Sequence, residues 1–188
     1  MSDKETTSGL SGAFGNKGLK ANHVSYGHPH GKEILEEILD VLKQSPTGVT
    51  LFNVHTMYKF PIQIIKGTGE SGFSPQSKII YIQIPGAAQK ADGKHIIQTI
   101  KALREAEHEI IGFTAPDPSK DFMKYASVMH AKNLDSIVYV CKVMKELTNS
   151  SRYQELLDAL VAFDYSDVYK AYMSNASEKE LFDAYEGR

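Results

Sequence analysis

Two stretches of this chain hold chemically capable residues where a helix would ordinarily bury leucine. The first is Arg104-Glu105-Ala106-Glu107-His108. On a helix at about 100° per residue, Ile96, Ile97, Ile100, Leu103, Ile110 and Ile111 form one broad apolar face. Glu107 falls near the centre of that face, Arg104 within it and His108 at its edge, while Glu105 and Glu109 point away. A carboxylate inside a buried stripe is costly unless it is paired or bound to something. Arg104 and Glu107, at i and i+3, can pair on their own helix and fix packing. Alternatively, Arg104, Glu107 and His108 form the floor of a pocket.

The second stretch lies on a long helix expected over about 119–148. Phe122, Met129, Ile137, Val140, Met144 and Leu147 share one face. Asn133 lies near its centre and His130 within it, and Asp135 points to the other side. If the two inner faces meet, His108, His130 and Glu107 could approach one another. Two imidazoles and a carboxylate are a ligand set for a divalent metal such as zinc.

The elements that would position these groups are legible from periodicity. Residues 1 to about 30 are rich in Gly, Ser, Thr and Asn, lack an apolar period, and read as a flexible lead-in. His23, His28 and His30 cluster there. Such a tract can bind metal, although a polar loop is the simpler reading. Gly31 opens a helix with its stripe at Ile34, Leu35, Ile38, Leu39 and Leu42. Ser45-Pro46-Thr47-Gly48 ends it, and Thr47 could cap a second element running to Tyr58, a run ambiguous between helix and strand that favours helix. Phe60–Lys66 and Lys78–Ile84 read as strands joined by a glycine-rich loop, hence an antiparallel hairpin. After residue 90 the chain turns helical, over about 92–112, 119–148, 151–163, 165–174 and 177–185. The fold expected is α+β and predominantly helical with a short antiparallel β-hairpin. One domain would span 31–188, with a core over about 32–147 and a C-terminal helical extension over 151–188.

The order helix, hairpin, carboxylate–histidine helix, polar-faced helix resembles the minimal zincin core of a small, uncharacterised bacterial metallopeptidase-like family. The resemblance covers roughly residues 32 to 147. In an H-E-x-x-H helix, histidines at i and i+4 reach one zinc and the intervening glutamate activates its water. The resemblance makes Glu105 the catalytic base and His108 a metal ligand. Arg104 stands where the first histidine belongs, and arginine cannot deprotonate to bind zinc. Asn133 stands near the acidic third ligand's place. The implied protein is therefore a zincin-like domain with a degenerate active site, not a standard zinc peptidase. Its pocket would hold Arg104, Glu107 and Asn133, with an altered metal site at His108, His130 and Glu107. The E-x-x-H spacing at Glu105 and His108 also fits half of a di-iron site, but no second pair accompanies it.

Bulk properties exclude other classes. The 188 residues carry a net charge of −2 with no basic stripe, so nucleic acid is not an expected partner. Cys141 is the only cysteine, which leaves no intrachain disulfide and no thiolate zinc cluster. Its apolar helical setting marks it as a core residue. No secretory signal and no apolar run of membrane-spanning length is present, so a cytoplasmic location is expected. Gly67–Phe73 lacks the lysine of a phosphate-binding P-loop, and there is no G-x-S-x-G elbow. Tyr153, Tyr165, Tyr169, Tyr172 and Tyr185 mark the C-terminal helices. These could serve a non-catalytic module that contacts a protein partner or a second copy of the chain.

Overall fold

The computed structural model describes residues 23–113 and 115–187. Most of the expected lead-in, residues 1–22, lies outside the described residues. The described end of that segment is not a loop throughout, because Val24–Gly27 forms strand β1. His28 fixes the turn after it. Its Nε2 donates to the Pro85 carbonyl at 3.1 Å while Nδ1 accepts from the His30 amide at 3.1 Å. Both ring nitrogens therefore serve backbone groups.

Helix α1 (Gly31–Leu42) buries the expected stripe. Helix α2 (Pro46–Tyr58) resolves the ambiguous run as helix. Its cap is Ser45 rather than Thr47: the Ser45 hydroxyl accepts from the Gly48 amide at 2.9 Å, and Pro46 takes the first helical turn, where a missing N–H costs nothing.

The sheet corrects the expected pairing. Strands β2 (Ile62–Lys66) and β4 (Ile79–Ile84) are neighbours, but they run parallel. The glycine-rich segment between them contains a third strand, β3 (Gly72–Ser74), which pairs antiparallel with β4 at the sheet edge. The antiparallel hairpin is thus β3–β4, and the order is β1-β2-β4-β3 with β1 parallel to β2. The chain reverses twice between β2 and β4, into β3 and out of it, so the two come out parallel. The three-residue strand between those reversals is too short to show a period of two. Ile62, Ile64, Ile80, Ile82 and Ile84 face the helices and are buried, while the alternate residues are partly exposed.

Helix α3 (Gly93–Ile110) is the centre of the molecule. It contacts α1, α2, β3, β4, α4 (Phe122–Glu146) and α5 (Tyr153–Ala162), and Lys94 is its only exposed residue. A capping box starts it. The Asp92 carboxylate accepts from the His95 amide at 2.9 Å, and His95 Nδ1 accepts from the Asp92 amide at 3.1 Å. Gly112, at φ +75°, ends it, with the Phe113 amide donating back to the His108 carbonyl at 3.0 Å.

Helices α5, α6 (Ser166–Met173) and α7 (Glu178–Glu186) complete the structure. Leu156, Leu160 and Val168 join the same apolar cluster as Ile96, Ile100 and Ile137. The tyrosines face inward as well. The Tyr153 and Tyr169 hydroxyls bond each other at 2.6 Å, and Lys101 Nζ donates to the Tyr165 hydroxyl at 3.0 Å. Cys141 is fully buried, and burial pushes its thiol up to about 12. Among the described residues no helix is long and apolar enough to cross a membrane.

The docking of α5 on α3 depends on Gly93, where an added Cβ would meet the Glu155 carbonyl oxygen at 2.4 Å. Gly93→Ala should cost about 1–3 kcal/mol in denaturant unfolding and speed amide exchange in α5 above all. Unchanged exchange in Tyr153–Ala162 would show that this approach does not hold α5 in place.

Candidate functional site

Where α3 meets α4, Arg104 takes the place that a leucine would fill in a simple helix pair. Its side chain is 10% exposed. Nε donates to Asp135 Oδ2 at 2.6 Å, Nη1 pairs with Glu107, and the guanidinium lies 3.8 Å from the Tyr139 ring centroid. The expected Arg104–Glu107 pair is therefore present. Asp135 joins it, although the wheel pointed that residue away. The same Oδ2 accepts from His108 Nε2 at 2.6 Å. His108 is 1% exposed, and its Nδ1 is buried without a hydrogen-bond partner among the described residues.

Burial works against ionised Asp135, but the hydrogen bonds from His108 and Arg104 outweigh it and hold the carboxyl below the ordinary carboxylate range. The stabilisation is thus complete above the ordinary value and is lost as pH falls through the lowered one. The network reads first as an electrostatic clamp between two helices.

Glu105 does not point to solvent either. It lies on the sheet side of α3, where its carboxylate accepts from the outward-facing Phe73 amide of β3 at 3.0 Å. Burial raises its carboxyl above the ordinary range, against the lowering effects of that bond, Lys101 and His108. Glu105 and His108 share a cleft of about 370 Å³ between β3, the end of α3 and the first half of α4, and Asn133 also reaches it.

The expected metal trio is not brought together. Glu107 is held by Arg104, His108 by Asp135, and His130 turns to the C-terminal helices, against Glu186 and the rings of Phe182 and Tyr185. Asn133 donates to the Tyr185 hydroxyl at 2.7 Å. Among the described residues no group of three His, Cys, Asp or Glu side chains is placed to hold a metal ion. The zinc that the zincin resemblance implies therefore does not fit this arrangement. His108 Nε2 and Asp135 Oδ2 are also too close, since ligands on a tetrahedral zinc at about 2.0–2.1 Å stand roughly 3.3 Å apart.

Sequence reasoning missed two features. Lys132, Asp135, Tyr139, Lys142 and Glu146 recur at helical spacing along α4 and read as a solvated face. Three of them are interface. Asp135 and Tyr139 meet α3, and Glu146 binds the start of α2 through Ser45 and the Thr47 amide and hydroxyl. An aromatic in the middle of a charged stripe was the available signal. The second feature is a second frame of the same motif. His108-Glu109-Ile110-Ile111 is followed by Gly112 at the position that H-E-x-x-H gives to its second histidine. Gly112 has no side chain and lies past the helix end. No family model, no curated protein and no solved structure significantly matches the chain.

Asp135→Asn keeps the shape but leaves Arg104 and His108 without their carboxylate. It should cost about 2–3 kcal/mol, less than a fully buried pair because Asp135 is 35% exposed, with the deficit shrinking in acid as the native carboxyl protonates. An equal deficit at pH 7 and pH 3 in denaturant titrations would refute the clamp.

Glu105 should behave in the opposite sense. Its raised value means the folded chain binds the proton more tightly than the unfolded one, so stability is lost as pH rises through that interval. Glu105→Gln can still accept from Phe73 and should melt about 2–4 °C higher than the parent at pH 7.5, with no gain at pH 4. A lower melting point at pH 7.5 would show that the ionised carboxylate is net stabilising.

Proposed function

We propose that this chain is a zincin-like domain whose metal centre has been replaced by an ion-pair clamp, and which acts by binding a ligand in the adjoining cleft rather than by zinc peptidase chemistry. The observation that carries this reading is the closure of His108 onto Asp135, with Arg104 bonded to the same carboxylate oxygen. A fixed guanidinium supplies the positive charge that a metal would bring, but it has no open coordination position and cannot lower the pKa of a water as zinc does. Either frame of the motif lacks one of its histidines, through Arg104 in one and Gly112 in the other. The zincin likeness is supported by the element order, by an antiparallel edge strand beside the motif helix, and by a following helix that brings a carboxylate to His108.

The cleft supports a binding role through its mixture of apolar walls, Phe73 and Met129, and a few convergent polar groups. The alternative of a protein partner on the C-terminal helices is left with their outward residues, such as Val161 and Phe182, because the inward ones pack the core.

Elemental analysis of chain purified without a histidine tag should find zinc well below one equivalent. Added zinc should leave the chain without hydrolytic activity on a casein or peptide library. Stoichiometric zinc that disappears in His108→Ala would overturn this reading.

A further inference from the structure

We propose that the cleft takes an ammonium or guanidinium group on an aliphatic stem, the chemistry of a lysine or arginine side chain in a bound peptide. This inference rests on the cleft-binding reading above.

The polar groups around the cleft are mostly acceptors. Glu70, Glu105 and Glu109 contribute carboxylates. Glu105 receives a single hydrogen bond among the described residues, from the Phe73 amide. A carboxylate has about four lone-pair sites, so most of its accepting capacity is open. His108 adds an independent observation. Its ring lines the same cleft and is 1% exposed. On the tautomer that donates Nε2–H to the Asp135 carboxylate, Nδ1 is a buried acceptor with no donor among the described residues. A buried acceptor without a donor is costly, and a ligand rich in N–H groups would satisfy it.

Three lysines lie near this set. Lys78 is paired with Glu109, and Lys132 lines the α4 side, where its ammonium lies 5.7 Å from the Phe113 ring centroid. Lys101, whose charge also acts on Glu105, does not line the cleft and turns its ammonium to the Tyr165 hydroxyl; among the groups that do line it, three carboxylates face the one ammonium of Lys132. Phe73 and Met129 supply apolar walls for the stem of a lysine or arginine, which buries its methylenes while its head reaches the carboxylates.

The test is an NMR titration of the isotopically labelled full chain with four probes: the Nα-acetyl methylamides of lysine, arginine and norleucine, and 1,5-diaminopentane. The lysine and arginine compounds should shift Phe73, Glu105 and His108 resonances, with norleucine at least about tenfold weaker. Glu105→Gln should weaken the lysine compound about tenfold, and Lys132→Gln, which removes an opposing charge, should tighten it. A tightening cannot be produced by misfolding. Norleucine binding as well as lysine, or Lys132→Gln binding no better, would overturn the cationic ligand while leaving a cleft-binding domain in place. Binding of the diamine alone would overturn the peptide side chain as its source. The zinc analysis above fails separately from all of these.

Discussion

The organisation of this protein follows from α3 having no solvent face. A helix wrapped by a sheet on one side and by α2, α4 and α5 on the others must find an internal partner for each polar group it carries. Arg104 pairs with Glu107 and Asp135 and lies over Tyr139. Lys101 reaches the Tyr165 hydroxyl, Glu105 takes the Phe73 amide, and Thr99 donates to the His95 carbonyl. Each partner comes from a different neighbour or from α3 itself. The polar residues of one helix therefore set how its neighbours are placed around it.

The same constraint explains what could be read from the sequence. The stripe of α1 and the alternation of β2 and β4 were plain, because those elements bury one face and the pattern records which. Helix α3 resisted a wheel. Glu105 lies away from its isoleucines and yet is covered, because the sheet lies on that side as well. Asp135 was misplaced for a related reason. Helix α4 packs against α6, α2 and α3, and Asp135, Tyr139 and Glu146 contribute polar contacts to α3 and to the start of α2. Periodicity finds apolar interfaces, and it cannot distinguish a polar interface from a solvated face. The parallel relation of β2 and β4 was hidden by β3, whose three residues lie among glycines and serines.

The clamp and the cleft share residues but differ in character. Asp135 and Arg104 are paired with each other, and His108 bonds the same carboxylate oxygen. Glu105, one position along, has a carboxyl kept high by burial and a single donor. His108 belongs to both: one ring nitrogen is fixed in the clamp and the other is without a partner beside the cleft. A histidine locked in one orientation by a carboxylate is how metal ligands and catalytic imidazoles are ordinarily held. In this chain Asp135 holds His108 in that way.

The position of α5 and α6 along the chain has a consequence for synthesis. They cover flanks of α3 and α4, yet Tyr153 follows Ile110 only after the whole of α4 has been made. A nascent chain that has emerged as far as α4 already carries the isoleucines of α3 and the sheet, but lacks Leu156, Leu160 and Val168 to close over them. Such a chain is a sticky intermediate on the ribosome, suited to capture by chaperones that hold exposed apolar surface. Folding of this domain is thus completed only once α5 and α6 have emerged.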